Sequence, residues 1–180
     1  MPSVDLPFDR NGWVADLTTR AGVKLHIRPA AGTDLAEITT FFRTVGVEDL
    51  HHRFSNATEQ ARDAALSTII ANQDLGSMTF LAFDREQVLI ACATLSDAPQ
   101  GHSADVALSV GESAKGKGVS WTLLEHVLAY ARSHGLALVT SLESGDDRAA
   151  INLEREMGFV ARLSSANPVE ISLSKVVGDT

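Results

Sequence analysis

The spacing of apolar residues near the start of the chain predicts a strand and then a helix. Lys24 to Arg28 alternates polar and apolar side chains, as half-buried strands do, and the alternation stops at Pro29. Helix-capping residues follow at Gly32-Thr33-Asp34, and the apolar residues after them recur at intervals of three and four. These apolar residues are Leu35, Ile38, Phe41, Phe42 and Val45.

The middle of the chain is predicted to contain two further helical pieces and then three consecutive strands. Val47 to Asn72 is more polar and carries spaced apolar anchors, which is typical of surface helices. Met78 to Asp84 and Gln87 to Leu95 are rich in aliphatic and aromatic residues, and a short polar turn separates them, as in an antiparallel hairpin. A third such run, Ala104 to Val110, predicts one more strand.

The last third of the chain alternates helix and strand before it ends in two strands. An apolar stripe runs from Gly116 to His134 and stops at a glycine, as helices commonly do. A strand at Leu136 to Leu142, a helix at Asp147 to Met157, and strands at Phe159 to Leu163 and Val169 to Val176 follow. This order predicts an α/β (α+β) fold with a mixed, mostly antiparallel central sheet of six or seven strands and helices on both faces.

A chain of 180 residues is long enough for one domain with its own core. Residues 1–22 show no clear period, and we interpret them as an arm or short hairpin that leads into a single domain at residues 23–177. The only cysteine, Cys92, excludes an intramolecular disulfide, and no Cys or His pair has the spacing of a zinc site, so no metal is expected. The N-terminus has no signal-peptide pattern, and we expect a cytoplasmic protein.

The charge of the chain narrows the class of partner. Lys and Arg number 15 and Asp and Glu 23, which gives a net charge of -8. Such a chain has no electrostatic attraction to nucleic acid or to an anionic membrane surface, and no apolar stretch approaches the length of a membrane span. A cationic amine is a compatible substrate.

The most informative local feature is a glycine-containing loop between a strand and a helix. The strand that ends at Val110 leads into Lys115-Gly116-Lys117-Gly118-Val119-Ser120 and then into the amphipathic helix. Glycines allow a ligand to approach the backbone, and the N–H groups of a first helical turn favour an anion such as a pyrophosphate. Lys115 and Lys117 oppose the helix dipole unless an anion is bound there. The loop fits neither a P-loop nor a dinucleotide-binding fingerprint, and an ordinary exposed helix start is the alternative.

This loop resembles the signature of the GNAT (GCN5-related N-acetyltransferase) superfamily, [Q/R]-x-x-G-x-[G/A], with Lys115, Gly118 and Ser120 in its three defined places. The resemblance extends over about residues 24–176 and includes Leu153 to Phe159, which is similar to the L-x-x-x-x-G-F ending of the family. Within the superfamily, the chain is most similar to the acetyltransferase domain of bacterial protein lysine acetyltransferases. Segments Val47 to Phe54 and Asp147 to Ile151 carry that finer similarity.

The resemblance implies acetyl-CoA as the cofactor and direct attack of a neutral primary amine on the thioester, with a protein lysine side chain as the expected acceptor. A lysine amine has an ordinary pKa of about 10.4, so a base must take its proton. The resemblance places Asp105 where lysine acetyltransferases carry a glutamate base; aspartate is shorter, and a bridging water would restore its reach. The cofactor-binding residues that the resemblance implies are Leu108, Ser109, Val110, Lys115, Gly116, Lys117, Gly118, Val119, Ser120 and Asp147.

Several positions depart from the family pattern. The position of the tyrosine that protonates the leaving thiolate in many members is Glu154 here, and the only tyrosine, Tyr130, lies on the apolar stripe of the long helix, so we assign no general acid. Two alternatives follow: a catalytically weak acyl-CoA-binding or regulatory module, and an acetyltransferase for a small amine. The protein is expected to be a monomer or a homodimer.

Overall fold

A computed structural model describes residues 12–45, 76–97, 101–166 and 169–178 of the chain. These residues form a single eight-stranded sheet with the strand order β1-β2-β3-β4-β5-β6-β8-β7. The strands are β1 Ala15–Thr18, β2 Lys24–Pro29, β3 Ser77–Phe83, β4 Leu89–Asp97, β5 Ser103–Val110, β6 Leu138–Ser144, β7 Val160–Ala166 and β8 Val169–Val176. The helices are α1 Leu35–Thr44, α2 Val119–Ser133 and α3 Arg148–Glu156. The two helical pieces expected at residues 47–72 lie outside the described residues.

The mixed, mostly antiparallel sheet with flanking helices is confirmed, but the sheet has eight strands where six or seven were predicted. The additional strand, β1, lies inside the predicted arm and forms a hairpin with β2, with Ala15 opposite Ile27 and Thr18 opposite Lys24. β1 is only four residues long, and only Ala15 and Leu17 in it are half-buried. An alternation this short cannot be detected in the sequence. The division of the chain at residue 23 remains a prediction.

Two apolar clusters lie on opposite faces of the sheet, because alternate residues of β3 and β4 point to opposite sides. One cluster joins Ile38, Phe41 and Phe42 of α1 to Leu81 of β3 and Cys92 of β4. The other and larger cluster packs α2 against the opposite face, and the fully buried Tyr130 belongs to it. Each face of the central strands is therefore covered by a helix.

The feature that shapes the site is a fork between β5 and β6. These strands pair in parallel at only three positions, from Ser103 opposite Leu138 to Asp105 opposite Thr140. Beyond that point β5 continues along β4 as far as Val110, while β6 continues along β8 as far as Ser144. Because each strand stays held by its other neighbour, the two strands separate and leave a wedge-shaped gap.

Candidate active site at the fork of the sheet

The fork opens into a cavity of about 360 Å³ between β5, the loop before α2, the end of β6, and α3. Of the ten residues that were predicted to bind the cofactor, seven line this cavity. They are Leu108, Ser109, Val110, Lys115, Gly116, Ser120 and Asp147. The structure thus brings together residues from β5, from the loop and from the start of α3 that are distant in sequence.

Lys117, Gly118 and Val119 complete the same loop, but two of them face elsewhere. Lys117 and Val119 line a separate cavity of about 400 Å³ on the other side of the loop, and the Val119 side chain is buried in the core beneath α2. Gly118 is the residue that caps the N-terminus of α2. Their role at the cofactor remains a prediction for the backbone of the loop.

The loop combines two left-handed glycines with an uncapped helix start. Gly116 and Gly118 have φ values of +69° and +78°, a left-handed conformation that glycine adopts readily. No side chain caps the first turn of α2, and this turn contains no acidic residue, so nothing of the helix itself competes with an anion for its N–H groups. Lys115 lies beside the loop in an exposed ion pair with Glu112, with 2.7 Å between Nζ and Oε1. These residues fit the pyrophosphate of coenzyme A.

Asp105 occupies the last paired position before the fork opens. It lies between Ser96 of β4 and Thr140 of β6, and its side chain is exposed. Its neighbours Ala104 and Val106 point into the cluster beneath α2, so Asp105 faces the opposite side of the sheet. It does not line the cavity that holds most of the predicted cofactor contacts.

A buried carboxyl group faces that cavity from α3. Glu154 is only 5% exposed, and its Oε2 accepts a hydrogen bond from the Ser141 hydroxyl of β6. Its carboxyl group also contacts the Glu143 side chain. Burial raises the pKa of Glu154, and the nearby charge of Asp147 raises it further, while the hydrogen bonds from Ser141 and Glu143 partly oppose that shift.

The sequence contains a signal for this burial. Ala150, Leu153, Glu154 and Met157 recur at the spacing of one helix face, so Glu154 occupies a position on the inward stripe of α3. Its contact with Glu143 has no sequence signal, because it depends on how α3 packs across β6.

Asp147 forms the predicted cap of α3. Its Oδ1 accepts a hydrogen bond of 2.9 Å from the backbone N–H of Ala150. The same residue lines the cavity, so one side chain both begins the helix and borders the gap.

Among the described residues, no group of three or more His, Cys, Asp or Glu side chains is arranged to hold a metal ion. No helix that these residues form is long and apolar enough to cross a membrane.

Comparison with known proteins agrees with this geometry. The model of the acetyltransferase (GNAT) family matches residues 45–159. An acetyltransferase from Pseudomonas aeruginosa is 24% identical over 153 residues, which cover 83% of this chain and 81% of that relative.

Solved structures share the fold over nearly the whole chain. The GNAT domain of S. lividans PAT has a TM-score of 0.82 at 21% identity and covers 92% of this chain and 98% of that domain. Spermidine N-acetyltransferase from Vibrio cholerae, in complex with CoA and spermine, has a TM-score of 0.69 at 18% identity and covers 84% and 95% of the two chains. With a forked sheet, a glycine loop at the start of α2 and a family match over more than half of its length, the chain belongs to the GNAT family of acetyltransferases.

Proposed function

We propose that this acetyltransferase binds acetyl-CoA in the fork and transfers the acetyl group to a primary amine, with a protein lysine side chain as the preferred acceptor. The proposal rests on one observation: a single cavity extends from Lys115, Gly116 and Ser120 to the place where β5 and β6 separate. Such a cavity accepts a long ligand with an anionic group at one end and an extended arm along a strand.

Each part of the fork would contribute a different interaction. The N–H groups at the start of α2 bind the pyrophosphate, and Lys115 adds positive charge beside it. The backbone of Leu108 and Val110 pairs with the pantetheine arm where β6 has moved away, as an added strand would. A backbone N–H near Leu108 stabilises the negative charge that develops on the acetyl oxygen during attack.

Asp105 is the proposed base. It lies at the closed end of the fork and on the face of the sheet opposite α2 and α3, so an amine that enters from that face meets its carboxylate directly or through one water. The carboxylate takes a proton from the amine, and the nitrogen then attacks the acetyl carbon.

The preference for a protein lysine is supported by two observations. Val47 to Phe54 and Asp147 to Ile151 resemble segments of bacterial protein lysine acetyltransferases. The GNAT domain of S. lividans PAT also matches the fold more closely than the Vibrio cholerae spermidine enzyme, with TM-scores of 0.82 and 0.69.

A small polyamine is the second candidate acceptor. The chain carries a net charge of -8, which favours a cationic acceptor, and spermidine N-acetyltransferase from Vibrio cholerae shares the fold. Spermidine is therefore the appropriate competitor substrate in the assay.

The test measures binding and transfer separately. We expect acetyl-CoA to bind in a calorimetric titration and its acetyl group to appear on a lysine peptide faster than on spermidine. Asp105→Asn should lower kcat by about 10²-fold and leave the Kd for acetyl-CoA unchanged, because general-base catalysis typically contributes 10²–10⁴-fold. Glu125→Gln, the same change of charge at an exposed position of α2, is the matched control.

The possible outcomes separate the candidate functions. Faster transfer to spermidine would replace the protein lysine by a small amine. Binding without transfer to any amine would identify an acyl-CoA-binding or regulatory module. Absence of binding would refute the proposed cofactor site altogether.

A further inference from the structure

The cavity in the fork is reached from both faces of the sheet. The Ser141 hydroxyl donates to Glu154 of α3, so Ser141 lies on the face that α3 covers. Because side chains alternate along β6, the next residue, Leu142, points to the other face, and yet it lines the same cavity. Asp105 pairs with Thr140 and therefore lies on the face of Leu142. A substrate can thus approach the gap from the side of the sheet opposite α3.

On that side, β6 presents a threonine between two leucines. Leu138, Thr140 and Leu142 alternate along the strand, and Thr140 is the residue opposite Asp105. Leu142 is 54% exposed, and Val176 of β8, which is 67% exposed, lies opposite Leu138. Residues two positions apart in a strand are separated by about 7 Å. An accessible aliphatic side chain therefore lies about 7 Å to either side of Thr140.

This spacing equals that of side chains on one side of an extended peptide. When a lysine of such a peptide points toward the sheet, the residues two before it and two after it point the same way, about 7 Å to either side. A peptide packed on a sheet lies about 10 Å from it, and a lysine side chain is about 6 Å long. The amine of a lysine above Thr140 therefore reaches the opening of the gap beside Asp105, while the two neighbouring side chains lie above Leu138 and Leu142.

The charge on this face favours a lysine segment over a second copy of the chain. The Asp105 carboxylate lies beside a group of hydroxyls, those of Thr140, Ser172 and Ser174, which pair along β6 and β8. A second copy packed here would bury that carboxylate and close the way to the gap. A lysine segment instead brings the ammonium group that the carboxylate attracts.

We propose that β6 selects the sequence around the acceptor lysine, and that the protein acetylates extended segments with an aliphatic residue two positions before and two positions after that lysine. One of these residues packs on Leu142 and the other on Leu138 and Val176. This inference rests on the proposed function, because it takes a protein lysine as the acceptor and the fork as the place of transfer. It adds no step to the reaction.

The first test uses the wild-type protein and two peptides of equal composition, which contain Leu-Ser-Lys-Ser-Leu and Ser-Leu-Lys-Leu-Ser between identical flanks. We expect kcat/KM to be about tenfold higher for the first peptide, because only its leucines point with the lysine and cover aliphatic surface. The difference should appear mainly in KM, since both lysines reach the same place. Equal values, or a preference for the second peptide, would overturn the inference.

The second test changes the strand. Leu142→Ser should lower the ratio of the two kcat/KM values about threefold, because one of the two aliphatic contacts is lost. Leu142 also lines the cofactor cavity, and the ratio cancels any effect on acetyl-CoA binding. Leu163→Ser is the matched control: Leu163 is 65% exposed, and its partner on β8, Ile171, packs toward α2, so Leu163 lies on the other face. The ratio should stay at the wild-type value in that variant.

Sedimentation of the same variants tests the other occupant. If Leu142→Ser converts a dimer to a monomer and leaves the ratio unchanged, the face is an interface between two copies and the inference is overturned.

The outcomes also separate this inference from the proposed function. Transfer to both peptides with equal kcat/KM would remove the selection by β6 while the lysine acetyltransferase activity stands. Transfer to spermidine but to neither peptide would overturn the inference and the preference for a protein lysine. A wild-type protein that transfers acetyl to no amine would overturn the proposed function as well.

Discussion

Gly118 lies at a point where two parts of the chain nearly touch. Its φ is +78°, and a Cβ atom placed on it would lie 3.3 Å from the Cβ of Thr19 in the turn after β1. The residue is therefore constrained twice, by its left-handed backbone and by a neighbour packed against it. Gly135, just beyond the other end of α2, has a φ of +73° but no atom within 4 Å of the corresponding position.

This pair of glycines separates backbone strain from cofactor binding. We expect Gly118→Ala and Gly135→Ala each to reduce the free energy of unfolding by about 1 kcal/mol, because both force a side chain into a left-handed conformation. Only Gly118→Ala should raise the Kd for acetyl-CoA, by tenfold or more, because it moves the loop against Thr19. Calorimetric titration and urea denaturation of both variants measure the two effects, and equal affinities would contradict the loop's role.

Individual site residues differ in how far the sequence could predict them. The motif around Gly118 predicted the glycine loop that begins α2, and the aspartate before α3 predicted the cap at Asp147, because both depend on short local patterns. Lys117 and Val119 belong to the same motif, yet both border a separate cavity, since a turn sends adjacent residues in different directions. The contact of Glu143 with Glu154 depends on tertiary packing and had no local pattern to reveal it.

At the scale of elements, the junction between β2 and α1 is held by a charged pair. Arg28 at the end of β2 donates two hydrogen bonds to Asp34, of 2.6 and 3.0 Å, and the Ala31 backbone N–H donates a third, of 2.7 Å. The Arg28 guanidinium lowers the pKa of the Asp34 carboxyl group below its usual range. This geometry sets the direction in which α1 leaves the sheet.

Removal of this carboxylate should loosen the junction. We expect Asp34→Ala to reduce the free energy of unfolding at pH 7 by about 2 to 3 kcal/mol, because it leaves a half-buried guanidinium and a backbone N–H without their acceptor. Because the pKa of Asp34 is lowered in the folded state, the wild-type advantage is present above about pH 4 and disappears as the pH falls through the folded value. Urea denaturation at pH 7 and pH 3 would test both statements, and an equal difference at the two pH values would refute the second.

Most elements could be predicted from sequence because their apolar pattern repeats over many residues. Seven of the eight strands and all three described helices follow from alternation or helical spacing. The start of β6 was placed early, at Leu136, because an apolar run alone does not show where its backbone pairs. The N–H groups of Ala137 and Leu138 both donate to the carbonyl oxygen of His102, so regular strand pairing begins at Leu138.

At the scale of the whole molecule, an aromatic cluster packs Trp13, which precedes β1, against α2. His126 contacts the rings of Trp13 and Phe80, with centroids 5.6 and 5.0 Å away, and its Nε2 donates to the Trp13 carbonyl oxygen at 3.2 Å. Burial lowers the pKa of His126 below its usual range, although the hydrogen bond to Trp13 partly opposes that shift. The neutral imidazole is therefore the form that fits between these rings.

This cluster gives the stability of the protein a defined pH dependence. Because the pKa of His126 is lower when folded than when unfolded, its contribution is complete above about pH 6.5 and is lost as the pH falls toward the folded value. We expect the free energy of unfolding of His126→Phe, measured by urea denaturation, to fall less between pH 7 and pH 5 than that of wild type. His102→Gln, at an exposed histidine, should keep the wild-type slope, and a wild-type slope in His126→Phe would contradict this assignment.

The turn between β1 and β2 contacts the N-terminal end of α2 through two residues. Thr19 packs against Gly118, and the Arg20 guanidinium lies 4.5 Å above the ring of Trp121 in the first turn of α2. By thermodynamic linkage, a ligand that orders the loop must protect this hairpin from opening, and whatever stabilises the hairpin must tighten the ligand by the same factor. β1 is an edge strand of the sheet that the described residues form, so a change at this edge that stabilises the hairpin would raise the affinity for acetyl-CoA from a distance.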